Sequence, residues 1–208
     1  MSPAPLRLSV DGLACERGGR TVFADVSFTA RGGDLVAVVG HNGAGKSSLL
    51  RVIAGLVPKT AGSVVVEAGT AAGGAPPPGE HMHYCGHSDA LKPSLTAREN
   101  LAFWRDYYGE AALEPEDALD LFAIEHLADL PAAYLSAGQK RRLALCRLLV
   151  SRRPVWLLDE PTSALDVATQ ARLTGLMRDH LAAGGLILAA THGDLGLVPG
   201  LVLTIGAA

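Results

Sequence analysis

Gly40-His41-Asn42-Gly43-Ala44-Gly45-Lys46-Ser47 combines residue types and spacing suited to one task, holding the phosphates of a nucleotide. The run spells G-x-x-x-x-G-K-[ST]. Its glycines let the backbone curl so that successive N–H groups face anionic oxygens, and a following helix adds its positive end. Lys46 would reach the β- and γ-phosphates as a mobile point charge, and the Ser47 hydroxyl would ligate Mg²⁺. Far along the chain, Asp159 and Glu160 close the apolar run Val155-Trp156-Leu157-Leu158. Phosphoryl transfer to water needs such a pair beside a phosphate loop: Asp159 on the metal, Glu160 to orient or deprotonate the attacking water. Thr191-His192 follows another apolar run and would place an imidazole at the γ-phosphate.

These groups work together only if strands and helices deliver them to one place. Asp34–Val39 reads as a buried strand entering the phosphate loop, and Ser48–Ala54 as the helix leaving it, stopped by Gly55. Leu6–Val10 and Val22–Phe28 read as short antiparallel strands around a turn at Gly18-Gly19, and Gly62–Glu67 as another strand. Ala68–Glu80, rich in glycine and with three consecutive prolines, reads as a flexible or extended connector. Thr96 and Glu99 have capping-box spacing ahead of an apolar face at Leu101, Trp104 and Tyr108. Helices are expected at Pro115–Ala123, from Leu135 to about Ser151, and at 168–182, with strands at Val155–Leu158, Leu186–Ala190 and near Leu201–Ile205. Strands alternating with helices predict an α/β fold with a mostly parallel sheet covered on both faces. No internal repeat or second domain is visible.

Composition sets bounds. The 208 residues are 49% hydrophobic and 19% charged, ordinary for a globular chain. A net charge of −3 argues against extensive nucleic-acid binding. The cluster Lys140-Arg141-Arg142 is expected on a solvated helix face. Cys15, Cys85 and Cys146 are scattered and odd in number, so no disulfide framework is expected and a reducing cytosol fits. The sequence shows no export signal and no apolar run near ~18–20 residues, so the chain is expected neither to enter nor to span a membrane by itself.

Leu135-Ser136-Ala137-Gly138-Gln139 distinguishes this chain from other phosphate-loop proteins. Ser136 and Gln139 have capping-box spacing, which by itself would only start a helix, and an uncapped helix start is also an anion site, so both readings stay open. The stretch resembles the signature sequence of ABC-transporter ATPases. The resemblance covers essentially the whole chain in order: phosphate loop at 40–47, signature at 135–139, acidic strand at 155–160, Ser163-Ala164-Leu165-Asp166 as the D-loop, and His192 as the switch histidine. It implies one ABC nucleotide-binding domain over 1–208: a P-loop NTPase of ABC ATPase type with an N-terminal antiparallel β subdomain and a helical subdomain at about 88–150. It also implies ATP and Mg²⁺ as ligands. Gly40, His41, Asn42, Gly43, Ala44, Gly45, Lys46, Ser47 and Ser48 would hold the phosphates, with Asp159, Glu160 and His192 completing the site. Two copies would pair head to tail around two ATP molecules, each touching Lys46 of one copy and Ser136 and Gly138 of the other.

Two positions depart from the general pattern. Arg17 stands where the family usually carries an aromatic that stacks on adenine; a guanidinium plane can stack there too. His87 stands where the family usually has a glutamine linking the metal to the membrane subunit, which leaves metal geometry and coupling open. Gly86-His87, Leu91-Lys92, Leu95–Leu101, Cys15-Glu16-Arg17 and Leu135–Arg142 together resemble the ATP-binding subunit of the bacterial cytochrome c maturation system, called a haem exporter. That resemblance implies integral membrane subunits as partners and a peripheral place on the cytoplasmic side of the inner membrane. The aromatics Phe103-Trp104 and Tyr107-Tyr108, with the stretch after His87, would lie near the docking groove, although helix core explains them equally well. Alternatives are an ABC exporter of unrelated cargo, a soluble ABC-type clamp, and a degenerate nucleotide-binding regulator, against which the intact Lys46, Asp159, Glu160 and His192 argue. A separate pattern is the alternation of His81, His83, Cys85 and His87, which one strand face would gather into a metal- or haem-ligating set; a strand leading into a loop, with Cys85 in the core, is the favoured reading.

Overall fold

Residues 6–68 and 77–206 are described by the structure, a computed structural model. The first strand, β1 (Arg7–Arg17), buries Leu8 and Val10, then Leu13 and Cys15. Strict alternation would send the second pair to the opposite face. A register shift between Val10 and Leu13, at Gly12 with φ 54°, supplies the extra residue that keeps all four inward. β2 (Arg20–Arg31) and β4 (Ala61–Glu67) pair antiparallel with β1 on its two sides. β1 and β2 run further than the short strands expected, since their ladder continues to Arg17↔Arg20 at the Gly18-Gly19 turn.

β3 (Leu35–Val39), β5 (Met82–Cys85), β6 (Val155–Asp159), β7 (Leu186–Ala190) and β8 (Leu201–Thr204) form a five-stranded parallel sheet in the order β5-β6-β7-β3-β8. β6 and β7 are buried at every position, the reason their sequences are runs of apolar residues rather than alternations. The helices are α1 (Lys46–Ile53), α2 (Ala97–Tyr108), α3 (Pro115–Leu121), α4 (Ala137–Val150) and α5 (Val167–Ala182). The fold class is the one expected. The described end of the Ala68–Glu80 connector is not extended: Pro78–His81 is a single 3₁₀ turn with proline at its start, and most of the rest lies outside the described residues.

The chain divides into two compact units. One, from Met1–Gly86, Pro154–Pro161 and Met177–Ala208, holds both sheets and α1. Its core joins Leu49, Leu50 and Ile53 of α1 to Leu8 and Val10 of β1, Val36 and Val38 of β3, Val155 and Leu157 of β6, and Leu186 and Leu188 of β7. Each fully buried Leu there contributes about 2 kcal/mol. α1 is thereby fixed against the strand ends.

The other unit, from His87–Arg153 and Thr162–Leu176, holds α2, α3, α4 and the start of α5. α2 opens with the expected capping box: Glu99 N donates to Thr96 Oγ1 at 3.1 Å, and Thr96 N donates to Glu99 Oε2 at 2.8 Å. Those donors hold the Glu99 carboxyl below its ordinary range. α4 is buried on most sides, with Leu143, Leu145, Cys146 and Val150 fully enclosed. The expected solvated face at Lys140-Arg141-Arg142 is therefore corrected. Arg141 is 5% exposed and donates to Asp89 at 3.4 Å, and Arg142 lies 3.6 Å from Asp166. A guanidinium turned into an enclosed helix face must meet carboxylates. All three cysteines are buried and none is in a disulfide, and burial raises the Cys146 thiol well above its ordinary value. Among the described residues no helix is long and apolar enough to cross a membrane.

Candidate nucleotide site

β3 ends at Val39 and the chain turns through Gly40, Gly43 and Gly45 at φ 153°, 81° and 104°, angles that a side chain resists. Space is equally restrictive: a Cβ at Gly40 would stand 2.3 Å from the Ile205 carbonyl oxygen, and one at Gly45 2.8 Å from Val22 Cγ1. α1 then begins with left-handed Gly45 as its N-cap, with no side-chain cap bond and no acidic residue in its first turn. Its first N–H groups are left for an anion.

Lys46 is 7% exposed and its Nζ donates to Gly40 O at 2.8 Å, His41 O at 3.1 Å and His192 Nε2 at 2.8 Å. Three protons thus have three acceptors. The Ser47 hydroxyl donates to Asp159 Oδ1 at 2.9 Å, so the loop's hydroxyl and the carboxylate that ends β6 converge. Glu160, the next residue, sits at φ 48°, in the left-handed region, and its N–H donates to Ala190 O at 2.8 Å. Such backbone conformations collect where chemistry needs a side chain aimed against local preference. Glu160 Oε1 comes within 3.7 Å of His192 Nε2. Because that nitrogen accepts from Lys46, the approach is proximity and not an ion pair. Lys46, Ser47, Asp159, Glu160 and His192 are thus gathered in one unit, as the sequence predicts.

Two residues that sequence reasoning missed complete this cluster. Arg51 Nε donates to Tyr84 Oη at 3.0 Å, and Tyr84 Oη donates to Asp159 Oδ2 at 3.3 Å. Burial raises the Tyr84 phenol above its ordinary value, and the bond to Tyr84 raises the Arg51 guanidinium. A signal existed: Arg51 follows Ser47 by four residues on a helix, so both project the same way. Tyr84 gave none, because the pairing of β5 beside β6 is not written in either strand.

Among the other expected phosphate-loop residues, His41 and Asn42 are exposed, with His41 Nδ1 donating to Asn42 O at 2.8 Å; Ala44 is buried and Ser48 half-buried. Arg17 is exposed at the end of β1, on the hairpin whose returning strand sets Val22 against Gly45. His87 belongs to the other unit, exposed in a bend just past Gly86. The alternating His81, His83, Cys85 and His87 follow the favoured reading of a strand leading into a loop: β5 carries only His83 and Cys85, both buried, while His81 belongs to the 3₁₀ turn and His87 lies beyond the strand. Among the described residues no group of three His, Cys, Asp or Glu side chains could hold a metal ion.

In the second unit Ser136 caps α4: Gln139 N donates to Ser136 Oγ at 3.3 Å and Ser136 N donates to Gln139 Oε1 at 2.8 Å. A Cβ at Gly138 would meet only Ala164 O, at 3.5 Å, an ordinary contact, so the fold of this unit does not itself require glycine there. Ala164, inside Ser163–Asp166, is left-handed at φ 61°. Asp166 takes the Thr169 N–H at 2.7 Å, and that bond holds its carboxyl below the usual range. The α2 aromatics divide: Trp104 and Tyr108 lie half-buried beneath the Arg147 and Arg153 guanidinium groups, each 5.1 Å from a ring centroid. Phe103 and Tyr107 stack on each other in the open, 38% and 70% exposed.

Residues 23–163 match the family described as ABC transporter. The chain is 57% identical over 192 residues to the "Cytochrome c biogenesis ATP-binding export protein CcmA" of Rhodopseudomonas palustris (strain BisB5), covering 91% of this chain and 94% of that one. It is 50% identical to the protein of the same description from Chelativorans sp. (strain BNC1), covering 97% and 99%. Among solved structures it is similar to an ATP-binding subunit of an ABC transporter (TM-score 0.77, 27% identity, 89% of this chain and 79% of that one). It shares its fold with a dimeric ATP-binding cassette in a post-hydrolysis state bound to ADP and Pi (TM-score 0.79, 22% identity, 95% and 94%).

Proposed function

The chain belongs to the ABC transporter family and, within it, to the cytochrome c biogenesis ATP-binding export proteins, and from this premise we propose that it is the ATP-hydrolysing subunit of a membrane complex that exports or delivers haem for c-type cytochrome assembly. The observation that carries the reading is the convergence of Ser47 Oγ and Asp159 Oδ1 at 2.9 Å, with Lys46 and Glu160 both close to His192. A hydroxyl and a carboxylate at that separation suit a hard cation with oxygen ligands. Ser47 and Asp159 would hold Mg²⁺, which supplies charge neutralisation on the phosphate oxygens.

The rest is done by the chain. The N–H groups of Gly43 to Ser48 bind β- and γ-phosphate oxygens, and Lys46 exchanges neutral acceptors, two loop carbonyls and an imidazole, for anionic ones. His192, released by that exchange, orients the γ-phosphate. Glu160 aligns a water in line with the γ-phosphorus and takes its proton as the bond to the β-phosphate oxygen breaks, giving ADP and inorganic phosphate. Arg17 offers a guanidinium plane to adenine.

We read the two units as the core and helical subdomain of one nucleotide-binding domain. A second copy, head to tail, brings Ser136 and Gly138 to the nucleotide. Support comes from Gly138, where no contact within its own unit demands the absence of a side chain. The exposed pair Phe103 and Tyr107 supports docking of α2 on integral membrane subunits, placing the protein peripherally on the cytoplasmic side of the inner membrane. The test is haem staining of c-type cytochromes in cells whose only copy carries Lys46→Ala at wild-type level. Staining should disappear and return with the wild-type gene; undiminished staining would overturn the cytochrome reading.

A further inference from the structure

Asp159 is 2% exposed, and its two oxygens are engaged from different elements: Oδ1 by Ser47 of α1 at 2.9 Å, Oδ2 by Tyr84 of β5 at 3.3 Å. Tyr84 is itself held by Arg51 Nε at 3.0 Å. α1 thus meets the carboxylate twice, directly through Ser47 and, one turn later, through Arg51 and the phenol. Gly86 gives this arrangement its room. A Cβ there would stand 2.7 Å from Tyr84 Oη and 2.8 Å from its Cε1, so the ring occupies the place of a side chain at residue 86.

We propose that Tyr84 is a positioning residue for metal binding, holding Oδ2 of Asp159 so that Oδ1 stays turned toward Ser47 and the cation they share. The inference rests on the reading of Ser47 and Asp159 as the Mg²⁺ site. The chemistry favours a phenol in this place. A guanidinium bonded directly to Asp159 would neutralise the charge the cation needs and compete for both oxygens in a forked pair. Tyr84 puts a neutral donor on one oxygen and keeps Arg51 one hydrogen bond away. When Ser47 turns its oxygen to a cation, its bond to Oδ1 is given up, and the Tyr84 bond is the one of the two that can persist. Partners that orient a ligating carboxylate typically change metal affinity by about 10–100-fold when removed. At 3.3 Å and from a neutral donor, the lower end applies.

The test is Mn²⁺ titration of the full chain loaded with ADP, read by the loss of the free-Mn²⁺ paramagnetic resonance signal, beside ADP affinity in the presence of a chelator. Tyr84→Phe should weaken Mn²⁺ about tenfold and leave metal-free ADP affinity within twofold of wild type. Gly86→Ala, which keeps the phenol but displaces it, and Arg51→Met, which removes its support, should weaken Mn²⁺ in the same direction; they carry the test if Tyr84→Phe fails to fold. Mn²⁺ affinity within twofold of wild type in folded Tyr84→Phe, or in both substitute variants, would overturn the proposal, as would an equal loss of metal-free ADP affinity, which marks a general disturbance of the loop. A wild-type protein with no ADP-dependent Mn²⁺ binding would instead overturn the metal-site reading, and this proposal with it.

Discussion

His180, near the end of α5, sets up a pH dependence of stability that can be worked from its surroundings. Its ring stacks on Trp156 of β6 with centroids 3.9 Å apart and planes 13° apart, and Nε2 donates to Pro154 O at 3.2 Å. Burial lowers its pKa from 6.5 to about 4, against the opposing pull of the Pro154 and Leu186 carbonyls. The folded state therefore favours the neutral ring. Above pH 6.5 both folded and unfolded chains hold it neutral and its contribution is fully present. Below 6.5 the unfolded chain takes a proton that the native ring refuses until about 4, so stability is lost as pH falls through that window, at about 1.4 kcal/mol per pH unit. The full interval corresponds to about 3 kcal/mol; the ring is not wholly enclosed, so we expect about 2 kcal/mol. The assay is urea unfolding followed by tryptophan fluorescence from pH 7.5 to 4.5, for wild type and His180→Gln. Gln retains a donor for Pro154 O and does not titrate. Other groups cancel in the difference, which should shrink by about 2 kcal/mol across the window as wild type loses its advantage. A difference constant to within about 0.5 kcal/mol would refute the assignment of the loss to this ring.

Glu160→Gln should lower ATP turnover at least ~100-fold while ATP still binds and drives pairing, as seen by steady-state phosphate release and size-exclusion chromatography with ATP; retained turnover would move the base elsewhere. Gly40→Ala should cost about 1–3 kcal/mol in thermal unfolding, because its methyl would enter the space of the Ile205 carbonyl, and should also weaken ATP binding. Ser136→Asn keeps an N-cap acceptor and should leave stability within about 0.5 kcal/mol, yet abolish ATP-dependent pairing. Normal turnover in that variant would reduce Ser136 to a helix cap.

The phosphate loop, both capping boxes and the buried strands were legible because each depends on chain neighbours: glycine torsions, side chains three residues apart, and apolar runs bounded by polar ends. The same locality explains the limits of that reading. Lys140-Arg141-Arg142 looks solvated when only its own charge is weighed, yet enclosure of α4 turns Arg141 onto Asp89, 52 residues upstream. The histidine alternation alone does not show that the strand spans only Met82–Cys85, which is why a shared face and a strand running into a loop were both open in the sequence.

Residue order alone determined the reaction class and the family, since a G-x-x-x-x-G-K-S loop, a signature helix, an acidic strand and a histidine recur in sequence whatever their distances in space. It also marked Lys46, Ser47, Asp159, Glu160 and His192 as a set expected to lie together. Tertiary structure decided how. The parallel pairing of β5 beside β6 brings Tyr84 to Asp159 across 75 residues, and the placement of β7 brings His192 to Lys46 across 146. Strand order in a sheet follows from the joint burial of all its faces rather than from any one strand's residues. A contact made across that order therefore cannot be read from the segments it joins.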